Sequence, residues 1–268
     1  MYRISLILVS LFLWSSLAFA GSYCSQAQMC YLFTEGSGTT VADSSGHGNT
    51  GTFNSSGHPA WTTTVPSFGV SGSAANSAVS DATSYINTGN STIVQNGNSV
   101  TVVAWIYITS LAASQPNRII DVNGNIVFGF DVASTDLVIK MAGSTPMLQD
   151  SNTGAFALNT WTFVAFTSNL STTASSSHIY TATLASPTVT EVSYATTTNG
   201  VTLSSNTGNN LYLLNRNDAA RPMLGNATQI GVFNSILSTS DLQNIFNYGL
   251  GATVANIGGG LMRLDRKL

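Results

Sequence analysis

The 268-residue chain carries 8 lysines and arginines against 11 acidic residues, a formal net charge of −3. It therefore has no basic field to draw nucleic acid, and that partner class is set aside. Charged residues make up only 7% of the chain and hydrophobic residues 43%, enough for a core beneath a surface of Ser, Thr, Asn and Gly, and all-β sandwiches of about 250 residues are routinely one domain.

Arg3, the apolar run 4–13 and the small residues ending in Ala18 and Ala20 follow the three regions of a secretory signal peptide. The alternative, a membrane anchor, needs roughly 20 apolar residues, and the run is shorter. A signal peptide over 1–20 is expected, leaving a mature chain from Gly21 with no membrane span, secreted to the extracellular space or held at the cell surface. Loss of Arg3 takes the net charge from −3 to −4. Gly21-Ser22-Tyr23 lacks the Leu-small-small triplet that precedes a lipid-anchored cysteine. The two cysteines, Cys24 and Cys30, can pair in an oxidising compartment and close a small loop, or remain two independent thiols.

Short apolar runs bounded by Gly, Asn, Ser and Pro then recur, the sequence form of a sandwich or jelly roll. Residues 99–109, with Val100 to Ile108 at their centre, are apolar on both faces and predict a central, covered strand. Residues 118–131 place Asn123-Gly124 between two apolar runs, the strongest short hairpin signal, and a second hairpin runs through 133–136 into Leu137 to Lys140. Residues 160–167 set Trp161, Phe163 and Ala165 on one face and Val164 and Phe166 on the other, a strand buried on both sides. Residues 211–215 and 229–233 supply two more strands, whereas 168–177 and 196–208 read as Ser/Thr/Asn-rich loops. A helix is predicted from Ser238, where Ser-Thr-Ser-Asp resembles a capping box, to Gly249. Residues 251–268, rich in Ala, Gly and Asn with a short basic end, read as a flexible tail. The expected fold is all-β, an antiparallel jelly-roll β-sandwich over 21–250 with one short C-terminal helix.

The strand, Gly/Asp/Ser loop and strand start between Tyr31 and Phe53 resemble the opening signature of the LamG-like jelly-roll, a concanavalin A-like lectin fold. Glu35, Gly36, Gly38, Asp43, Ser45, Gly46, Gly48, Asn49 and Gly51 carry it. Ser84-Tyr85-Ile86 sits at the family's short strand, Val102-Val-Ala-Trp105 resembles its "saW" strand, and Thr160 to Ala165 its "tWthva" strand. Val232 to Ser238 resembles its terminal "iYnraLs" element. The resemblance spans Cys30 to Tyr248 and implies an exported module that recognises a glycan or cell-surface ligand, with calcium as a possible cofactor in many relatives. Two departures stand out. Thr228-Gln229 replaces the family's Asp-Glu, removing a carboxylate from its calcium site, and Thr181 to Leu184 replaces its Asp-Gly turn.

Asp43 is the first metal-ligand candidate, because calcium takes six to eight oxygens and this loop offers a carboxylate among many carbonyls and hydroxyls. The alternative is that Asp43 fastens the Ser-Ser-Gly turn by accepting from backbone amides. Glu35 is a second ligand candidate or an anchor for the same loop. Trp105 and Trp161 lie in apolar strands and are assigned to the core. Trp61, in an irregular segment, can stack on a sugar ring or pack at the sandwich edge. Asn215, Arg216, Asn217, Asp218 and Arg221 gather convergent polar groups in a chain with few charges, a ligand-binding pattern; the alternative is an Asp–Arg pair that only fastens the loop. His47, His58 and His178 have no partner spacing.

Glycosidases need two carboxylates at a defined separation. The chain lacks the Glu-x-Asp-x-(x)-Glu strand pattern of glucanases; Asp131 and Asp136 flank a turn and Glu191 stands alone. No Gly-x-Ser-x-Gly elbow occurs. The reading is a non-enzymatic, lectin-like binding module, with a structural or adhesive surface decoration as the second hypothesis and a polysaccharide hydrolase as the third. Sequons at Asn54, Asn90, Asn169 and Asn226 carry no assigned function, and the oligomeric state is left open.

Overall fold

The computed structural model describes residues 21–54, 60–66, 77–81, 83–89, 92–113, 115–251, 253–257 and 260–262. The expected signal peptide, His58 and Asn90 lie outside the described residues.

Two large antiparallel sheets face each other, as the jelly-roll expectation requires. One, of nine strands, runs Tyr194–Thr198, Met147–Ser151, Val138–Met141, Ile126–Phe130, Asn117–Val122, Tyr212–Leu213, Ile86–Asn87, Gly51–Phe53 and Thr40–Val41. The other, of eight strands, runs Thr190–Glu191, Ser177–Thr183, Trp161–Ser168, Val100–Ile108, Gly225–Phe233, Ser77–Ser80 and Ala60–Thr62, with Met29–Tyr31 also paired to Gly225–Phe233.

The strand Val100–Ile108 is central and apolar on both faces because it serves two cores. Val102, Ala104 and Ile106 point into the space between the sheets, where Phe166 meets Phe128 of the facing sheet at a ring separation of 4.4 Å. Val103 and Trp105 point outward with Phe163 and Ala165, and a second cluster covers them. Its lid is the helix Thr239–Tyr248, through Leu242, Ile245 and Phe246, together with Tyr23, Cys24, Ala27 and Cys30 from the start of the described chain. Each such large side chain contributes about 1.5–3 kcal/mol by leaving water. Trp161 packs at the margin of this second cluster and Trp105 is fully buried.

The helix begins and ends where its sequence signals lie. The Ser238 hydroxyl accepts from the Asp241 amide while the Asp241 carboxylate accepts from the Ser238 amide, and Gly249, at φ 78°, donates its amide to the Ile245 carbonyl. Asn123 and Gly124, at φ 50° and 78°, turn the hairpin between Asn117–Val122 and Ile126–Phe130, closed by the Asn125 amide on the Val122 carbonyl at 2.9 Å. Cys24 and Cys30 form a disulfide, their Cα atoms 5.3 Å apart.

Three segments differ from expectation. The loop read over 196–208 contains most of the strand Tyr194–Thr198 and the strand Val201–Leu203. Its threonines are β-branched and fit a pleated edge with hydroxyls in solvent, so their polarity disguised strand propensity. The loop read over 168–177 tightens into a 3-10 turn, Ala174–Ser176, held by a buried Ser168–Ser177 hydroxyl pair at 2.7 Å. The segment read as a flexible tail carries the hairpin Thr253–Ile257 with Gly260–Met262, and its first strand pairs with Gly21–Ser22. Long-range pairing of this kind leaves no local trace.

Candidate functional site

A register shift in the nine-stranded sheet builds the site. Along Asn117–Val122, Asp121 lies opposite Val127 and Ile120 opposite Phe128, but Arg118 lies opposite Gly129. Residue 119 is thus the extra residue of a bulge, which puts Arg118 and Asp121 on one face despite their odd spacing. That face is the outer one, since Ile120 and Phe128 fill the core. Glycine is required at 129, where a Cβ would stand 2.0 Å from the Asn117 carbonyl oxygen.

Asp121 is fully buried and accepts from Arg118 Nε at 3.0 Å and from the Gly124 amide at 2.7 Å. Burial pushes its carboxyl above the usual range, against the pull of those two donors, and burial likewise lowers the Arg118 guanidinium. Breaking such a pair from one side leaves a buried charge uncompensated, a loss of about 3–5 kcal/mol.

The loop 215–221 lies against this pair. Asn215, fully buried, accepts through Oδ1 from the amides of Arg216 and Arg221, both at 2.8 Å. The Arg221 carbonyl in turn accepts from the Arg118 amide at 3.1 Å. Arg216 grips Asp218, with Nε to Oδ1 at 2.9 Å and Nη2 to Oδ2. That contact first, and the Ala220 amide after it, holds Asp218 down to about 2 despite some desolvation. The structure therefore brings Asn215, Arg216, Asp218 and Arg221 together over Arg118 and Asp121, with Asn217 exposed on the same loop. Side-chain Nδ2 of Asn215 and Nε and Nη1 of Arg221 are enclosed without a hydrogen-bond partner.

Next to Asp121 across the sheet stands Tyr212, paired in turn with Asn87. The half-exposed rings of Tyr212 and Tyr85 meet edge to face at 5.6 Å. The outer face thus sets aromatic surface beside a charged, hydrogen-bonding group.

Farther along the same face, Arg118, Gly129, Val138 and Asp150 form one cross-strand row. Asp131 and Asp136 stand two residues from Gly129 and Val138, so three carboxylates converge, one oxygen from each lying within 4.8 Å of the others. Asp136 is held by the Asp131 amide at 3.0 Å and the Ser134 hydroxyl at 2.7 Å. Burial, reinforced by Asp136 and Asp131, pushes Asp150 up to about 6, and burial with Asp136 raises Asp131 against Arg118 and Lys140. These hard oxygens can hold a metal ion, and Asp150 Oδ1 is already enclosed without a partner.

Asp43 and Glu35 lie elsewhere. Both oxygens of Asp43 are taken by protein donors: the amides of Cys30, Ser45 and Asn49 and the Ser45 hydroxyl, at 2.8–3.0 Å. Of its two readings, the geometry describes the turn fastener. Glu35 is exposed and accepts from the Ala42 amide at 2.8 Å. Trp61 packs at the sandwich edge against Phe33 and Phe53, and its indole N–H donates to the Gly38 carbonyl at 2.9 Å.

Sequence reasoning passed over Arg118, Asp121, Tyr85, Tyr212 and Asp150 as site residues. A charged Arg-x-x-Asp inside an apolar hairpin strand was a signal open to notice. Asp150 offered none, because its companions come from the turn between two other strands.

A family model described as the concanavalin A-like lectin/glucanases superfamily matches residues 80–243. Among solved structures, domain 4 of AbnA, a GH43 extracellular arabinanase from Geobacillus stearothermophilus, solved with arabinotriose, is similar at a TM-score of 0.55 and 15% identity, covering 82% of this chain and 98% of that one. The binding domain of Paraclostridial Mosquitocidal Protein 1 reaches a TM-score of 0.57 at 12% identity, and that of Botulinum Neurotoxin DC in complex with SialylT 0.52 at 14%. Each covers 84% of this chain and 52% of its own, so the chain spans about half of those toxin domains. No curated protein matches the chain.

Proposed function

The chain belongs to the concanavalin A-like lectin/glucanases superfamily, and from that membership we propose that it is an exported, non-enzymatic glycan-binding module that binds on the outer face of the nine-stranded sheet. The observation that carries this reading is the Tyr85–Tyr212 ring pair beside Asn87, with the Arg216 guanidinium over the neighbouring Gly124 turn. Sugars present apolar C–H faces and rings of hydroxyls, and such a surface answers both. The similar arabinanase domain, solved with arabinotriose, supports the ligand class. Export is supported by the Cys24–Cys30 disulfide, which persists in oxidising compartments.

Calcium belongs to the same proposal. Asp131, Asp136 and Asp150 would hold it; when bound it would neutralise three crowded carboxylates and offer a coordination point for ligand oxygens. The test is binding of the purified protein to a broad glycan panel, with calcium and with a chelator, beside Tyr212→Ala and Arg216→Ala. Binding that both substitutions weaken supports the reading. Silence of the wild type in both arms overturns it in favour of a structural or adhesive role.

A further inference from the structure

One cross-strand row of the eight-stranded sheet lies beyond the part that the helix covers. Trp161 pairs with Tyr107, and Tyr107 with Asn226. Trp105 and Phe163, two residues along the same strands, point outward and meet Phe246 of the helix. By the two-residue period of a strand, Tyr107, Trp161 and Asn226 point outward as well. Each of the three keeps surface in solvent, whereas Trp105 and Phe163 have none. The Trp161 and Tyr107 rings lie 5.5 Å apart at 49°. The strand of Asn226 is drawn close to Tyr107, for a Cβ at Gly225, φ 152°, would stand 2.0 Å from the Tyr107 carbonyl oxygen. At the other end, exposed Leu184 follows Thr183, the partner of Thr162, and carries apolar surface past Trp161.

The polar groups of this row are open. Among the described residues nothing bonds the Tyr107 hydroxyl, the Trp161 indole N–H or the Asn226 side-chain amide. Together they supply both donors and acceptors. They supply no charge: the strands Val100–Ile108, Trp161–Ser168 and Gly225–Phe233 contain no Asp, Glu, Lys or Arg. Asp81, past the end of the neighbouring strand Ser77–Ser80, is held by Thr83 and Ser84. A neutral sugar answers such a row, its C–H face against the rings and its hydroxyls, each donor and acceptor at once, against the amide and hydroxyl. An ionised ligand would find no counter-charge there. A protein partner of standard size buries about 800 Å² on each side, and three partly covered side chains beside a helix offer far less.

We propose that Trp161, Tyr107 and Asn226 form a second glycan subsite, for a neutral sugar, on the sheet opposite the site proposed above. The inference rests on the glycan-binding reading for its ligand class alone; its residues share nothing with the first site. Two sites on opposite faces let one molecule bridge two glycan chains, so attachment to a polymer exceeds the affinity of either site.

The test is calorimetry of the intact protein with neutral oligosaccharides, arabinotriose, cellotriose and mannotriose, read together with tryptophan emission. Trp105 is buried and Trp61 lies at the sandwich edge, so a ligand on the new row shifts the emission of Trp161. Tyr212→Ala, which removes the first site, should leave one site that still shifts emission. Adding Tyr107→Ala should weaken that site about tenfold, the scale of one aromatic contact. Trp161→Phe keeps a ring in place and should retain binding while losing the emission shift. The emission readout on the wild type alters only the ligand, so the test stands even where a variant folds poorly. Binding lost in Tyr107→Ala but unchanged in Tyr212→Ala supports the new subsite and removes the first. Binding without an emission shift, or unchanged by Tyr107→Ala in the Tyr212→Ala background, overturns the inference while leaving a glycan binder. Silence of the wild type toward every probe overturns the subsite and the glycan-binding reading together.

Discussion

Phe246 of the helix lies stacked on Trp105 of the central strand, ring centroids 5.2 Å apart and planes 25° apart. The contact seals the middle of the outer side of the eight-stranded sheet, on the far side of the sandwich from the candidate binding face. Phe246→Ala should therefore lower stability in urea by about 3–5 kcal/mol, the range for emptying a buried aromatic site, while glycan affinity at the nine-stranded sheet stays at the wild-type value.

Asp43 is expected to act on stability rather than on metal binding. Desolvation alone would raise its carboxyl, but the Cys30, Ser45 and Asn49 donors outweigh it and the pKa ends below 3.8. A folded pKa below the unfolded one means stability present above 3.8 and lost as pH falls through the folded value. Asp43→Ala should cost about 2 kcal/mol at neutral pH, and the loss should narrow in acid, measured by denaturation at several pH values.

Asp150 has the opposite sign. Burial first, then Asp136 and Asp131, raise it from 3.8 to about 6, so the folded chain keeps a proton that the unfolded chain releases. Its contribution is complete below 3.8 and lost as pH climbs to about 6. The melting temperature of Asp150→Asn should fall less than the wild type's between these values. Added calcium should raise the wild-type melting temperature above pH 6, and a chelator should reverse it; an identical response from Asp150→Asn would count against metal at this cluster.

The Cys24–Cys30 bridge joins positions six apart, a loop worth about 2 kcal/mol in the chain-entropy picture. Reduction, or the Cys24→Ser with Cys30→Ser variant, should lower stability by that amount in equilibrium unfolding. Binding on the nine-stranded sheet should be unaffected, since the bridge belongs to the cluster under the helix.

The elements that could be read from the chain are those whose causes are local. The two-sided apolar pattern of Val100–Ile108, the Asn123-Gly124 turn and the Ser238 capping box each announce themselves within a few residues. The polar loop 215–221 also stood out, because its charges are rare in this composition. Threonine-rich Tyr194–Thr198 did not, since its strand character depends on pairing with Met147–Ser151.

By itself the sequence determined an all-β sandwich with one capped helix, because side-chain period, turn chemistry and capping are properties of neighbouring residues. Only the tertiary structure decided which polar groups share a surface. The bulge at Ile119 turns Arg118 onto the face of Asp121, and register across three strands gathers Asp131, Asp136 and Asp150. Register is set by packing between sheets, and a one-residue shift sends every side chain to the other face. A binding face assembled from separate strands is therefore fixed only once the core has closed.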